Sequence, residues 1–221
     1  MSPELYEYMI QFVTARKLQR FEDVLARRTR ALSVVLEDLY QGHNASACLR
    51  SADCFGIQDI HIVESRNTFK VKRDIARGAG QWTTILKHAS TEECYAALRS
   101  NGYQILATSP YARENDLHEL CIDQKSAIVF GCEFEGLSET AIDQADRRFR
   151  IPMDGFTESF NISVAAAITL HTLRHSLDAS DLEWGLSDAE KTALRHRWVE
   201  IALGPKFAPL ARRFAADTAT T

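Results

Sequence analysis

A long, permanent cation stands in a helix otherwise built from small residues. In His43–Gly56, HNASACLRSADCFG, the residues Ala45, Cys48, Leu49, Ala52 and Phe55 recur at the spacing of one apolar helix face. Asn44 is a residue type suited to capping that helix, and Arg50 lies beside the stripe with Asp53 within one turn. A guanidinium is a rigid fork of donors matched to carboxylate or phosphate oxygens, so Arg50 fits either an ion pair or a bound anion. Two other stretches follow apolar runs: Gly131-Cys-Glu133-Phe-Glu-Gly136 and Ile151-Pro-Met-Asp-Gly155. Glycines at strand ends let backbone groups approach a flat ligand beyond the carboxyl edge of a sheet, although each also reads as a plain turn. In Ser159–Ala167, SFNISVAAA, the polar residues Ser159, Asn161 and Ser163 open a helix that is then apolar nearly all round. Such a helix is expected to be buried, with Ser159 and Asn161 serving as caps and facing whatever fills the pocket.

Other chemistries lack their residues. Arg77-Gly-Ala-Gly80 has no third glycine and no preceding strand, and neither a phosphate-binding G-x-x-x-x-G-K-[ST] loop nor a G-x-S-x-G elbow occurs. The five cysteines (48, 54, 94, 121 and 132) include no C-x-x-C pair. They are expected to be free thiols in a reducing cytoplasm, without disulfides. No metal is expected, because His171 and His175 stand one turn apart without further ligands. No run of 18 apolar residues and no signal-peptide pattern is present, so the expectation is a cytoplasmic protein with no membrane partner.

The elements that must hold these stretches alternate. The spacing predicts one or two amphipathic helices over 3–28, a strand over 31–36, a helix opening at Asn44, a strand over 59–63 and a basic loop or short helix over 65–80. Strands over 83–87, 103–108, 126–131 and 148–152 then interleave with helices over 91–100, 138–145 and 159–177. This alternation argues an α/β fold with a mainly parallel sheet and helices on both faces. Residues 178–185 read as a linker, and Ser187-Asp-Ala-Glu190 as a capping box opening a last helix docked through Trp184, Leu194 and Trp198. Residues 215–221 are expected to be disordered. The domain reading is an N-terminal basic helical extension over 1–30, a central domain over 31–177 and a C-terminal helical extension and tail over 178–221.

Net charge is −4, yet it is segregated. Residues 1–30 carry six Lys/Arg against four Asp/Glu, residues 66–77 five against one, and residues 187–213 six against three. Such patches suit a polyanion, with solvated helix faces as the alternative. The candidate phosphate contacts are Arg16, Lys17, Arg20, Arg27 and Arg28 near the N-terminus, and Lys70, Lys72, Arg73 and Arg77 in the middle of the chain.

Taken together the three stretches resemble the three motifs of the SpoU branch of the SPOUT RNA methyltransferases, in that family's order. The first runs from Asn44 through Arg50 to Gly56, and the second is Gly131, Glu133 and Gly136. The third is Ile151 to Ser163, with Phe160 and Ile162 where the family usually has Leu and Val. The segments RRTRALSVVLEDLYQGHNASA and YQILATSPY look like the members that methylate the ribose of guanosine 18 in the tRNA D-loop. The resemblance implies a SPOUT fold with a deep C-terminal trefoil knot over about 126–177, a homodimer, and tRNA as partner. It implies S-adenosyl-L-methionine as cofactor, with contacts on Thr108, Ile128, Gly131, Gly136, Ile151, Met153 and Phe160. It gives Asn44, Arg50, Glu133, Ser159 and Asn161 to the active site, with Arg50 assisting removal of the 2′-proton beside a substrate phosphate. A relative acting on ribosomal RNA or another tRNA position, and a knotted RNA-binding protein without catalysis, are the alternatives.

Overall fold

The computed structural model describes residues 1–67, 78–113, 115–133 and 135–218. Lys70, Lys72, Arg73 and Arg77, with most of the basic segment expected over 65–80, lie outside the described residues. The chain forms two compact units: Thr29–Trp184, and Met1–Arg28 together with the segment from Gly185 onward.

In the larger unit six strands make one all-parallel sheet: β1 (Leu32–Glu37), β2 (Asp59–Val63), β3 (Thr84–His88), β4 (Gln104–Thr108), β5 (Ser126–Phe130) and β6 (Arg147–Phe149). Their order is β3-β2-β1-β5-β4-β6, so β1 and β5 are central. All side chains of these two strands are buried, as a parallel sheet covered on both faces requires. Side-chain alternation divides them between two cores. Leu32, Val34, Leu36, Ile128 and Phe130 meet α3 (Gly42–Cys54) and α7 (Ile162–Asp178). Val35, Ala127 and Val129 meet α5 (Thr91–Ser100) and α6 (Glu139–Asp143). A short helix, α4 (Ala79–Trp82), precedes β3.

Three expectations change here. The helix opening at Asn44 begins earlier, at Gly42, with Gln41 as its uncapped N-cap residue. Asn44 therefore sits inside the first turn with its side chain free for other work. α7 begins at Ile162 rather than Ser159, and Asn161 alone caps it, accepting from the Ser163 N–H at 2.9 Å. α7 is also buried along one stripe only. Ile162, Ala166, Leu170, Leu173 and Leu177 are in the core, whereas Val164 is 44% exposed.

The smaller unit contains α1 (Pro3–Ile10), α2 (Ala15–Leu25), α8 (Asp188–Leu203) and α9 (Phe207–Thr218). Residues 215–218, expected to be disordered, thus belong to a helix. The capping box forms as its sequence predicts, with Ser187 and Glu190 exchanging side-chain and backbone bonds. Trp198 is fully buried, with Phe21 edge-on at 5.6 Å and the Arg28 guanidinium 5.7 Å over its ring. Glu22 accepts two bonds from Arg195, at 2.6 and 2.7 Å. Arg28 is 1% exposed, so it is a packing residue and no phosphate contact. Arg16, Lys17, Arg20 and Arg27 remain exposed.

Candidate active site

A cavity of about 520 Å³ lies beyond the carboxyl ends of β4, β5 and β6. Its walls are the residues that follow each strand: Ser109 to Tyr111 after β4, Gly131 to Glu133 and Glu135 to Leu137 after β5, and Arg150, Ile151 and Met153 after β6. Ser159 to Ile162, leading into α7, close it. This is where open parallel sheets hold ligands, in the crevice outside the carboxyl ends of the strands. The volume lies within the range of small-molecule sites.

The segment after β5 doubles back on itself. Cys132 and Gly136 exchange N–H···O bonds at 3.0 and 3.1 Å, and Gly136 has φ of 73°, a left-handed value suited to glycine. A Cβ on Gly131 would stand 2.2 Å from the Gly136 carbonyl carbon and 2.3 Å from the Leu137 nitrogen. Glycine at 131 is thus required by the loop's own closure.

Glu133, at the tip of this loop, meets Asn44, through which the three sequence stretches are tied together. Its Oε1 accepts from Asn44 Nδ2 at 2.7 Å, and its Oε2 accepts from the Tyr40 N–H at 3.3 Å. Asn44 Oδ1 in turn accepts from Asn161 Nδ2 at 3.3 Å. Asn44 is 3% exposed, so its amide is committed to this chain of contacts, and leaving it unmade would cost more than forming it gains. Burial pushes the Cys48 thiol, one turn along α3, up to about 12, with the Glu133 charge adding to the effect. That thiol is therefore inert near neutral pH. Glu135 accepts from Arg66 Nη1 at 2.6 Å, and Arg66 also reaches Asp38. The Arg66–Glu135 pair is exposed on both sides, so it contributes little to stability.

Of the expected cofactor contacts, Thr108, Gly131, Gly136, Ile151, Met153 and Phe160 line the cavity. Thr108 Oγ1 donates to the Val129 carbonyl at 2.8 Å, which locks β4 to β5 at the cavity floor. Ile128 does not line it. Two residues before the end of β5 its side chain points into the α3/α7 core and is fully buried. Glu133, Ser159 and Asn161 line the cavity as well, while Asn44 reaches it through Glu133. Arg50 stands apart. It is exposed and makes no ion pair or hydrogen bond among the described residues, so the ion pair with Asp53, the alternative to a bound anion, does not form. Six residues on from Asn44 it is rotated about 240° around α3 and lies about 9 Å along its axis. Residues not singled out from sequence also line the cavity, among them Tyr111, 78% exposed, and Arg150. Arg150 Nε donates to Asp116 at 2.7 Å, and that bond raises its guanidinium above its ordinary range. Their signal was position alone: Arg150 directly follows β6, and Tyr111 lies three residues past the end of β4.

Residues 31–171 match the SpoU rRNA Methylase family. The chain belongs to that family. Its relatives include a tRNA (guanosine(18)-2'-O)-methyltransferase of Borreliella burgdorferi, 40% identical over 188 residues that span 85% of this chain and 86% of that protein. The Aquifex aeolicus TrmH/SpoU tRNA modifying enzyme superposes with a TM-score of 0.75 at 26% identity, covering 83% of this chain and 95% of that one. An AdoMet-bound rRNA methyltransferase from Sinorhizobium meliloti superposes with a TM-score of 0.61 at 25% identity, covering 71% and 60%. The chain is thus a SpoU-family methylase, and S-adenosylmethionine is its indicated methyl donor. The residues present fit that cofactor. Gly131 and Gly136, which carry no side chains, line the cavity, and Ile151, Met153 and Leu137 give it apolar walls.

Proposed function

We propose that this protein transfers a methyl group from S-adenosyl-L-methionine to the 2′-oxygen of guanosine 18 in the D-loop of tRNA. The observation that carries the reading is the Asn161–Asn44–Glu133 chain of hydrogen bonds, which joins all three motifs of a SpoU methylase at one cavity. The guanosine-18 target is supported by the 40% identity, over most of both chains, to a relative of that name.

The bound cofactor supplies an electrophilic sulfonium methyl. In this reading Thr108, Gly131, Gly136, Ile151, Met153 and Phe160 hold it. Glu133 fixes the loop against α3, and Asn161 and Ser159 border the entrance through which the ribose comes. As the oxygen–carbon bond forms, the 2′-hydroxyl must lose its proton. An arginine is a poor base in water but an excellent bidentate holder of phosphate. Arg50, exposed and without a partner among the described residues, therefore takes the substrate side, holding an RNA phosphate that shares in accepting the proton.

The same proposal includes the deep trefoil knot over about 126–177, a cytoplasmic location and a homodimer. The dimer is supported by apolar surface left near the cavity, where Val164 of α7 and Phe160 are 44% and 41% exposed. It also offers a second copy as the route by which Arg50 meets a cavity. Arg16, Lys17, Arg20 and Arg27 supply non-specific attraction for the tRNA backbone.

The test is methyl transfer by the purified protein to unmodified tRNA transcripts, with the product mapped by nucleotide. A single 2′-O-methyl at guanosine 18, missing from tRNA of a strain that lacks the gene, is expected. Methylation of ribosomal RNA or of another tRNA position instead would move the protein to a different substrate within the family. Tight tRNA binding without transfer would leave an RNA-binding protein only.

A further inference from the structure

The loop from Gly131 to Leu137 forms one wall of the cofactor cavity, and its shape depends on both of its ends. Its first end is fixed by β5, which pairs with β1 along its length. Its far end is Ser138, the residue that caps α6 by accepting from the Ala141 N–H at 3.1 Å. Ser138 is held by Glu37, the last residue of β1. Glu37 Oε2 accepts from the Ser138 N–H at 2.9 Å, and Oε1 accepts from the Ser138 hydroxyl at 2.7 Å. The Thr91 hydroxyl, at the start of α5, donates to the same Oε1. Glu37 is 2% exposed. Three donors thus converge on a side chain that water barely reaches, and a group that accepts on both of its oxygens is what they require.

We infer that Glu37 is a positioning residue for the cofactor: through Ser138 it holds the 131–137 loop in the doubled-back shape that makes the cavity wall. The inference rests on the methyltransferase reading of this cavity. Gly136 and Leu137 lie so close to Gly131 that even a Cβ would not fit between them. A small drift of Ser138 therefore opens the loop directly at the cofactor contacts. Glu37 touches neither the cavity nor the RNA-facing residues, so its influence falls on cofactor affinity and leaves the chemical step alone.

Glu37→Gln keeps the size of the side chain but leaves one acceptor oxygen where three donors converge. Ser138→Ala removes the hydroxyl half of the same link from the other side. Calorimetric titration with S-adenosylmethionine should show affinity lowered about five- to thirtyfold in Glu37→Gln, the range expected when hydrogen bonds to a charged group are partly lost. KM for the cofactor should rise in step, with kcat at saturating cofactor within about threefold of wild type and tRNA affinity unchanged. Ser138→Ala should reproduce the shift, and the double variant should be no weaker than the stronger single one, because both changes break one link. If Glu37→Gln fails to fold, Ser138→Ala decides alone. A lowered melting temperature with unchanged cofactor affinity and KM would overturn the inference, as would fully additive losses. Failure of the wild-type protein to bind S-adenosylmethionine would instead overturn the reading of the cavity.

Discussion

Exchanging Asn44 for aspartate changes one atom in the contact that joins α3 to the cofactor loop. The wild-type amide donates to Glu133 Oε1 at 2.7 Å and accepts from Asn161. In Asn44→Asp the acceptor toward Asn161 survives, while an oxygen replaces the Nδ2 that faced Glu133. Two ionised carboxylate oxygens about 3 Å apart repel by roughly 5 kcal/mol at an effective dielectric near 20. Binding one proton between them costs less, so the pair holds a shared proton to a higher pH than a lone carboxylate would. With that proton in place the bond to Glu133 is restored in kind, as O–H···O. The variant should therefore work best in mild acid and fail as pH rises. Asn44→Ala, which only deletes the bond, should lose about ten- to a hundredfold at every pH, from roughly 1.5–3 kcal/mol for a hydrogen bond to a charged group. The assay is single-turnover methyl transfer to unmodified tRNA transcript from pH 6 to pH 9, with each rate divided by the wild-type rate at the same pH. The Asn44→Asp ratio should fall at least tenfold across that range, a bound set by taking only about 1.4 of the roughly 5 kcal/mol as expressed in a half-open site. A flat ratio, or a variant as fast as wild type at pH 9, would refute the role given to this contact.

Arg50→Ala should lower the transfer rate by about two orders of magnitude or more with cofactor affinity and melting temperature near wild type, since the side chain is exposed and outside the cavity. A lower melting temperature with unchanged single-turnover rates would make it a structural residue. Gly131→Ala should abolish measurable cofactor binding, because its Cβ meets backbone at 2.2 Å. Cofactor affinity equal to wild type by calorimetry would count against the loop's closure as the cause. Burial, and secondarily the neighbouring His88, holds the His61 imidazole down at about 4. The unfolded chain takes up this proton below about pH 6.5 while the folded chain resists it until about 4, so stability should fall as pH drops through that window. The loss approaches roughly 3 kcal/mol for a shift of this size. Denaturant midpoints that stay level from pH 7 to pH 4.5, or fall equally in His61→Gln, would contradict it.

The parts of the molecule legible in the sequence are those decided locally. β2 over Asp59–Val63 and α5 over Thr91–Ser100 form over the same residues that the patterns mark, because apolar runs and capping residues act within a few positions. The capping box at Ser187 is local in the same way. What was misjudged depends on partners far along the chain. Asn44 has the chemistry of a cap, but Glu133, 89 residues away, claims its amide. Arg28 carries the charge of a phosphate contact, yet Trp198 covers it. Ile128 lies in the right strand for a cofactor contact, but the period-two alternation of β5 turns it to the other core. The site itself was legible as three motifs, whereas Glu37 was not. A lone glutamate at a strand end carries no pattern until the fold brings Thr91 and Ser138 to it.

The smaller unit is assembled from both ends of the chain. During synthesis α1 and α2 leave the ribosome on the order of ten seconds or more before α8 does. Over that interval Met9, Phe21 and Leu25, all buried in the finished unit, lack whatever cover α8 and α9 later give, which for Phe21 is Trp198. The sheet unit, whose residues are contiguous, can condense meanwhile. A nascent chain halted within it would display two short amphipathic helices as bait for chaperones and proteases. Burial of Phe21 against Trp198 is thus a receipt that translation has passed residue 198.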